Sequence, residues 1–389
     1  MEKIKLGILG IGNQGSTYAK KILAGECPEV ELVAICDGKE NRIAWARENL
    51  DAPITYFSSA EAMLDSGLID SCIVAVPHYD HPKYAMACMA RGIHVLVEKP
   101  AGVYTKQVRE MNEFAEKHNV VFAMMFNQRT NHIYRKMREL VQSGEYGQIR
   151  RTNWLITNWY RPQAYYDSGD WRATWSGEGG GVLLNQCPHQ LDLWQWICGM
   201  PVEVTAHMKY GKWHNIEVED DVTAYVEYAN GATGVFITST GDACGSNRFE
   251  IQMDKAKLVA EGGVLTVKVF EQSEPEFSKV NEKPFGAPAV TDLEFETDGL
   301  NLQHVGVINA FAAHILRGEP LIAGGEEGIN GLTLSNAMHM SSWLGKTVQL
   351  PLDEDLYYEE LMKRVASSKR KTEVKEAYVD TANTFAGTK

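Results

Sequence analysis

The sequence has no paired-cysteine pattern, no long apolar run and no excess of positive charge. Its seven cysteines, Cys27, Cys36, Cys72, Cys88, Cys187, Cys198 and Cys244, are odd in number and include no CxxC pair. That argues against a disulfide framework and against zinc spacing, and it suits a reducing, cytoplasmic setting. The later histidines, His207, His214, His304 and His314, also lack metal-ligand spacing, so no metal is expected. No apolar run is long enough to cross a bilayer, and Met1 leads into a short strand-like run rather than a signal-peptide core. Acidic residues outnumber basic ones, 51 to 38, for a formal net charge of −13. Such a surface repels phosphate backbones and anionic lipid, so neither nucleic acid nor a membrane is an expected partner. A neutral polyol meets no such barrier.

What is present is an ordinary globular composition, 44% hydrophobic and 23% charged, in a chain of 389 residues. That length exceeds a single core and predicts two domains. In the first part, short apolar runs alternate with helical patterns, the signature of an α/β fold with a parallel sheet. Strands are expected at Ile4–Leu9, Val30–Cys36, Ser71–Val76, Ile93–Val97 and Val120–Phe126, with helices at Gln14–Ala24, Pro82–Arg91 and Thr105–Lys117. The pattern then changes to period two at Val202–Tyr210 and Val222–Tyr228, with Asn230-Gly231 as a hairpin signal before further runs at Arg248–Met253 and Val264–Phe270. This predicts an α+β second domain with a large, mostly antiparallel sheet and helices on one side. The division is expected near residue 127, giving domains 1–127 and 128–389. Residues 271–300 read as a long loop or edge excursion, 301–317 and 326–344 as helices, and the end from Glu359 as a polar, weakly helical stretch with a basic run at Lys369–Lys371.

Gly10, Gly12 and Gly15 form GxGxxG around Asn13 and Gln14, after an apolar strand and before a helix. Gly10 allows the tight turn, Gly12 the approach of a pyrophosphate, and Gly15 the packing of helix on strand. The helix N-terminus offers N–H groups and partial positive charge to the phosphates. Asp37, 22 residues beyond Gly15, suits the diol of an adenosine ribose. Its charge favours NAD over NADP, although nearby Lys39 and Arg42 leave NADP possible. A doubly wound Rossmann domain follows from this setting.

Glu98-Lys99-Pro100 follows the strand Ile93–Val97, on the sheet edge where ligands bind. An ammonium there can hold a substrate hydroxyl and stabilise the alkoxide that develops as hydride leaves. A plain surface lysine is the alternative. Ala75-Val76-Pro77 with His81 precede Lys99, and after it come Asn127 and Arg129, then Gly179-Gly180-Gly181 ahead of His189 and Asp192. In this order the motifs resemble the Gfo/Idh/MocA family of oxidoreductases, from the N-terminus to about residue 352. The resemblance implies a Rossmann domain followed by a domain on a large open sheet whose face serves oligomerisation, as a dimer or tetramer. It implies that Lys99 contacts the nicotinamide ribose and the reacting hydroxyl, that the Lys99–Pro100 bond is cis, and that the loop of Pro77 and His81 lies beside the cofactor with His81 structural. His189 maps onto the catalytic histidine, a neutral imidazole that takes the hydroxyl proton. One departure is Asn185, where relatives carry an aspartate; an amide cannot relay a proton but can still bind substrate. Asp192 either orients His189 or is a polar core residue. Asn127 and Arg129 either shape the pocket floor or satisfy backbone groups.

Trp154, Trp159, Tyr160, Tyr165, Tyr166, Trp171 and Trp175 crowd into residues 154–175, interleaved with Arg161, Asp167, Asp170 and Arg172. Aromatic faces cover the C–H faces of sugar rings while charged groups fix hydroxyls. About half of these rings are expected in the core; Trp171 and Arg172 are the expected substrate contacts. The leading expectation is an NAD-dependent dehydrogenase acting on a ring secondary alcohol of a sugar, glycoside or cyclitol. The alternatives are a glycosidase that oxidises C3 transiently and recycles its NAD, and a dinucleotide-sensing regulator without turnover.

Overall fold

The computed structural model describes residues 2–369 together with Lys371 and Val374. Arg370, within the basic run, and the tail beyond Val374 lie outside the described residues. The strands of the first sheet are β1 (Ile4–Leu9), β2 (Val30–Cys36), β3 (Thr55–Phe57), β4 (Ser71–Val74), β5 (His94–Val97) and β6 (Phe122–Met124). They lie in the order β3-β2-β1-β4-β5-β6 and every pairing is parallel. The order reverses between β1 and β4, which opens a crevice at the strands' carboxyl ends.

The apolar runs are continuous because both faces of this sheet are covered. Period two then splits them. Leu6, Ile8, Ile73 and Leu96 face a core with Tyr18, Ala19 and Ile22 of the helix Asn13–Leu23 and with Val307, Ile308 and Phe311 of the helix Gln303–Arg317. Leu9, Val74, Val95 and Val97 face the other way, into a core that runs on without a break into the second half of the chain. The helix Gln303–Arg317 therefore returns to the first sheet although it follows the second in sequence.

The second sheet holds β7 (Ile149–Ile156), β8 (Glu203–Tyr210), β9 (Glu219–Glu227), β10 (Thr233–Ser239), β11 (Asn247–Met253), β12 (Ala256–Glu261), β13 (Val264–Phe270), β14 (Val290–Asp292) and β15 (Val348–Gln349). Their order is β14-β13-β12-β11-β7-β10-β9-β8-β15. All pairings are antiparallel except β10 with β7. One face is apolar: Thr152, Trp154, Ile156, Val222, Ala224, Val226, Phe236, Phe249 and Ile251 are buried beneath helices such as Pro188–Cys198, whose Trp194 stacks on Phe236. The other face is open and carries Arg151, Leu155, His207 and Tyr225. A cleft of about 800 Å³ lies on that open side, bordered by Arg150, Arg151, Glu250 and Lys257 at the start of β7. None of the residues lining it belongs to the glycine loop or the Lys99 turn.

Two expectations need correction. The central strand β7 is absent from the sequence reading. Of the two readings of residues 271–300 the edge excursion holds and the plain loop does not: they contain a helix, Glu274–Val280, and the edge strand β14. Glu274 and Glu276 in that helix's first turn favour its start by opposing the dipole. Cys27, Cys36, Cys72, Cys88 and Cys187 are buried as free thiols. Among the described residues no helix is long and apolar enough to cross a membrane.

Candidate active site

The glycine loop joins β1 to the helix Asn13–Leu23 at the crevice. Gly10 has φ +97°, and a Cβ there would stand 2.3 Å from the Ala75 carbonyl oxygen; a Cβ on Gly15 would stand 2.0 Å from the Gly10 oxygen. No larger residue fits either place. Gly12, the N-cap, has no side chain to cover the first turn. A dinucleotide pyrophosphate fits this cradle. Asp37 follows β2; its Oδ2 accepts from the Ile11 N–H at 3.0 Å and its Oδ1 from the Lys39 N–H at 2.9 Å. The carboxylate thus stands beside the glycine loop. Arg42 reaches to 3.8 Å from Asp37 and lies against Gly12.

The loop after β4 is tied to the Lys99 turn by His81. Its Nδ1 is 2.6 Å from the Pro100 carbonyl oxygen and its Nε2 2.7 Å from that of Val76. Two acceptors would favour a charged ring, but burial, the largest influence, holds its pKa below the ordinary value. Either way both nitrogens are occupied by backbone, so His81 joins the loop after β4 to the Lys99 turn. The Lys99–Pro100 bond is cis.

Glu98 is buried, accepting from the Tyr18 hydroxyl and from the Lys99 N–H at 2.9 Å. Lys99 projects across the domain junction, and its Nζ donates to the Asn185 carbonyl oxygen at 2.9 Å. Burial lowers the lysine's pKa, while Glu98 and then Glu178 oppose that. Four residues beyond Asn185, His189 opens the helix Pro188–Cys198, buried and edge-on to Phe126 at 6.4 Å between ring centroids. Burial first, then the charges of Lys99 and His304, hold its pKa well below the ordinary histidine value. The imidazole is therefore neutral near pH 7, as a proton acceptor must be.

His304 belongs to this group, although sequence reading set it among dispersed histidines. It sits 5.3 Å from the Tyr18 ring, with its Nε2 3.4 Å from Gln14 Nε2. Burial drives its pKa down to about 3. Nothing local in the sequence marks it; the return of its helix to the first sheet brings it in. Asn127 is buried where β6 gives way to a short turn, and its amide donates to Gln303 Oε1.

Arg129 corrects an expectation. It is not a pocket residue: at 2% exposure, its Nε and Nη2 grip the two oxygens of Asp192 at 2.8 and 2.7 Å, and its Nη1 reaches Glu327 at 2.7 Å. The guanidinium is further enclosed by Phe126 and Trp196. Asp192 is accordingly the core partner of Arg129 and accepts also from Gln195.

The aromatic segment divides. Trp154 stacks on Phe249 at 4.2 Å, and Trp175 packs against His339 and Trp343. Trp171 and Arg172 are half-buried, Trp171 edge-on to His78 at 5.7 Å and Arg172 4.6 Å from the ring centroids of both Trp171 and Tyr165. The Tyr165 hydroxyl accepts from Arg172 at 2.9 Å and from Asn185 and Gln186 at 3.2 Å each. The glycine triplet is pinned to β9, where Glu219 accepts from the N–H groups of Gly181 and Leu183 at 2.9 and 3.0 Å. Just before the triplet stands Glu178, which sequence reading missed. It is 2% exposed, accepts from the Ala173 N–H at 2.6 Å and from the Asn185 side-chain amide, and burial raises its pKa to about 7.

A dinucleotide cradle, a strand-end lysine and a buried neutral histidine at the junction of two sheets define an NAD(P)-dependent oxidoreductase. The comparisons agree: a family profile described as "Oxidoreductase family, NAD-binding Rossmann fold" matches residues 4–126 and one described as "GFO/IDH/MocA C-terminal domain" matches residues 134–259. The chain belongs to the Gfo/Idh/MocA family. It is 23% identical over 355 residues to myo-inositol 2-dehydrogenase of Thermotoga maritima, covering 89% of this chain and 98% of that protein. It is 26% identical over 347 residues to D-glucoside 3-dehydrogenase of Escherichia coli, covering 83% and 91% respectively. The structure of the WlbA dehydrogenase of Bordetella pertussis, in complex with NADH and UDP-GlcNAcA, superposes with a TM-score of 0.75 at 25% identity, over 90% of this chain and all of that one.

Proposed function

We propose that the protein oxidises a ring secondary alcohol of a sugar, glycoside or cyclitol, with hydride passing to a nicotinamide. The observation that carries this reading is the meeting of Lys99 with the Asn185 backbone, four residues before the buried, neutral His189. A bound NAD would be held by Gly10, Gly12, Asn13, Gln14, Gly15 and Asp37, and it supplies the hydride acceptor. Pro77, Glu98 and Asn127 would build the wall of that site. In the reaction, one alcohol and one oxidised cofactor give one ketone, one reduced cofactor and one proton. His189 takes that proton from the hydroxyl at its imidazole nitrogen. Lys99 donates to the same oxygen and stabilises its developing charge.

Asn185, Trp171 and Arg172 supply the substrate side: an amide and a guanidinium for hydroxyls, and an indole face for ring C–H groups. The relatives support the class, since one is named for an inositol and one for a glucoside. Asp37 favours NAD, and Arg42 beside it gives the 2′-phosphate of NADP a counter-charge. The open face of the second sheet, with Leu155 and Tyr225 exposed, pairs with another copy of the chain in a dimer or tetramer.

The test is NADH absorbance with the wild type and Lys99→Ala on inositols, hexoses and glycosides. NADH from the wild type, reduced about 100-fold or more in the variant, supports the reading. No NADH and no reverse reaction with keto-sugars overturns it.

A further inference from the structure

Lys99 and Glu178 stand on opposite sides of one residue. The ammonium of Lys99 binds the Asn185 backbone oxygen at 2.9 Å, and the Asn185 side-chain amide donates to Glu178. The second oxygen of Glu178 is held by the Ala173 N–H at 2.6 Å. Ala173 has φ +54°, a left-handed conformation that a non-glycine residue adopts at a cost. The chain is bent there at the residue whose N–H holds this carboxylate. A buried carboxylate accepting two N–H donors is arranged to carry charge, and Lys99 is the cation on the far side of the bridge.

We propose that Glu178 is a positioning counter-ion for Lys99: it fixes Asn185, and its negative charge keeps the lysine ammonium charged where the substrate oxygen binds. The inference rests on the reading of Lys99 as the residue that stabilises that oxygen. Glu98, hydrogen-bonded by the Tyr18 hydroxyl and the Lys99 backbone N–H, is the nearer and stronger charge on Lys99; Glu178 adds a second from the other sheet's side, and Glu98→Gln separates the two. The groups that act on Glu178 come from several elements. Arg172 favours its charge and Glu219 opposes it. Lys99, Lys371 and Tyr166 also feel its field. The His78 ring lies on the Glu178 backbone oxygen at 3.2 Å. Asn185 cannot itself supply a charge, so the second carboxylate that works on Lys99 enters seven residues earlier in the chain, through the fold rather than through the local motif.

The sign of the effect follows directly. An ionised Glu178 raises the proton affinity of Lys99, so removing the charge lets burial depress the lysine further. Glu178 is ionised above about pH 7, so its effect falls on the alkaline limb, where Lys99 gives up its proton.

The experiment is competitive acetylation of the full-length protein with acetic anhydride from pH 6 to 11, with the Lys99 peptide quantified by mass spectrometry. It compares wild type, Glu178→Gln, Glu178→Asp and Glu98→Gln, beside pH profiles of kcat/KM. The Lys99 midpoint is expected to fall by about one unit in Glu178→Gln, a tenfold change in neutral amine at fixed pH, and to recover in Glu178→Asp. The alkaline limb of kcat/KM, where Lys99 loses its proton, is expected to move down by the same unit in Glu178→Gln. In the wild type alone, infrared spectroscopy is expected to show no buried carboxyl still protonated at the pH where Lys99 titrates, a reading that needs no variant to fold. A Lys99 midpoint that does not move in Glu178→Gln, or a wild-type carboxyl that stays protonated up to the Lys99 midpoint, overturns the proposal. Labelling reads the counter-ion whether or not a substrate turns over, so a protein that oxidises no polyol yet shows the shift fails only the proposed function.

Discussion

Lys99, at the end of β5 in the first sheet, donates to the backbone oxygen of Asn185, which lies just after the glycine triplet that is pinned to β9 of the second. The contact joins the two halves of the molecule, and in the proposed reaction it marks where the hydride acceptor and the hydroxyl would meet. Each half supplies one charge-handling group, Lys99 from the strand end and His189 from the helix start. Neither is useful without the other half in register, so the expected effects of substitution separate into those on chemistry and those on the frame.

Arg129 and Asp192 belong to the frame. Both are almost fully buried and meet through two hydrogen bonds. Removing Asp192 leaves the buried guanidinium with Glu327 alone and two of its N–H donors without an acceptor. Asp192→Ala is expected to cost about 3–5 kcal/mol in stability, measured by urea unfolding. The fraction that remains folded should keep most of its activity, because Arg129 does not face the substrate. An activity loss larger than the loss of folded protein would place the pair in the chemistry after all.

His304 gives a pH signature. Its folded pKa is about 3, whereas an unfolded histidine titrates near 6.5. Below that value the unfolded chain takes up a proton that the folded one refuses, so stability is lost as the pH falls. Relative to His304→Gln, the wild type is expected to lose about 2 kcal/mol between pH 7.5 and pH 5. Thermal unfolding at the two pH values checks it; parallel losses in wild type and variant would show that the ring is not buried as described.

Much of this was legible where the signal is local. The run before Gly10, the glycine spacing, Asp37 at the end of β2 and Lys99 at the end of β5 depend on neighbours in sequence, and five of the six strands of the first sheet were legible; the short edge strand β3, half exposed, was not. The strand β7 escaped because Arg150, Arg151 and Asn153 face the open side, leaving only Thr152, Trp154 and Ile156 inward; a half-polar strand with a threonine among its inward residues has little apolar alternation. Arg129 read as a pocket residue because its partner lies 63 positions away. His304 and Glu178 carry no local mark at all. One is placed by a helix that returns from 290 residues beyond Gln14, the other by the bend at Ala173.

The central claim is hydride transfer from a carbon-bound hydrogen, and isotope transfer tests it most directly. A substrate found in the NADH panel would be prepared with deuterium on the reacting carbon and incubated with NAD and the wild-type protein. The account predicts one deuterium per turnover in the isolated NADH, on one face of the nicotinamide, with turnover slowed by the isotope and lost in Lys99→Ala. Unlabelled NADH would contradict it. Deuterium retained in the sugar, with an aglycone released and no net NADH, would instead assign the same site to transient oxidation and glycoside cleavage.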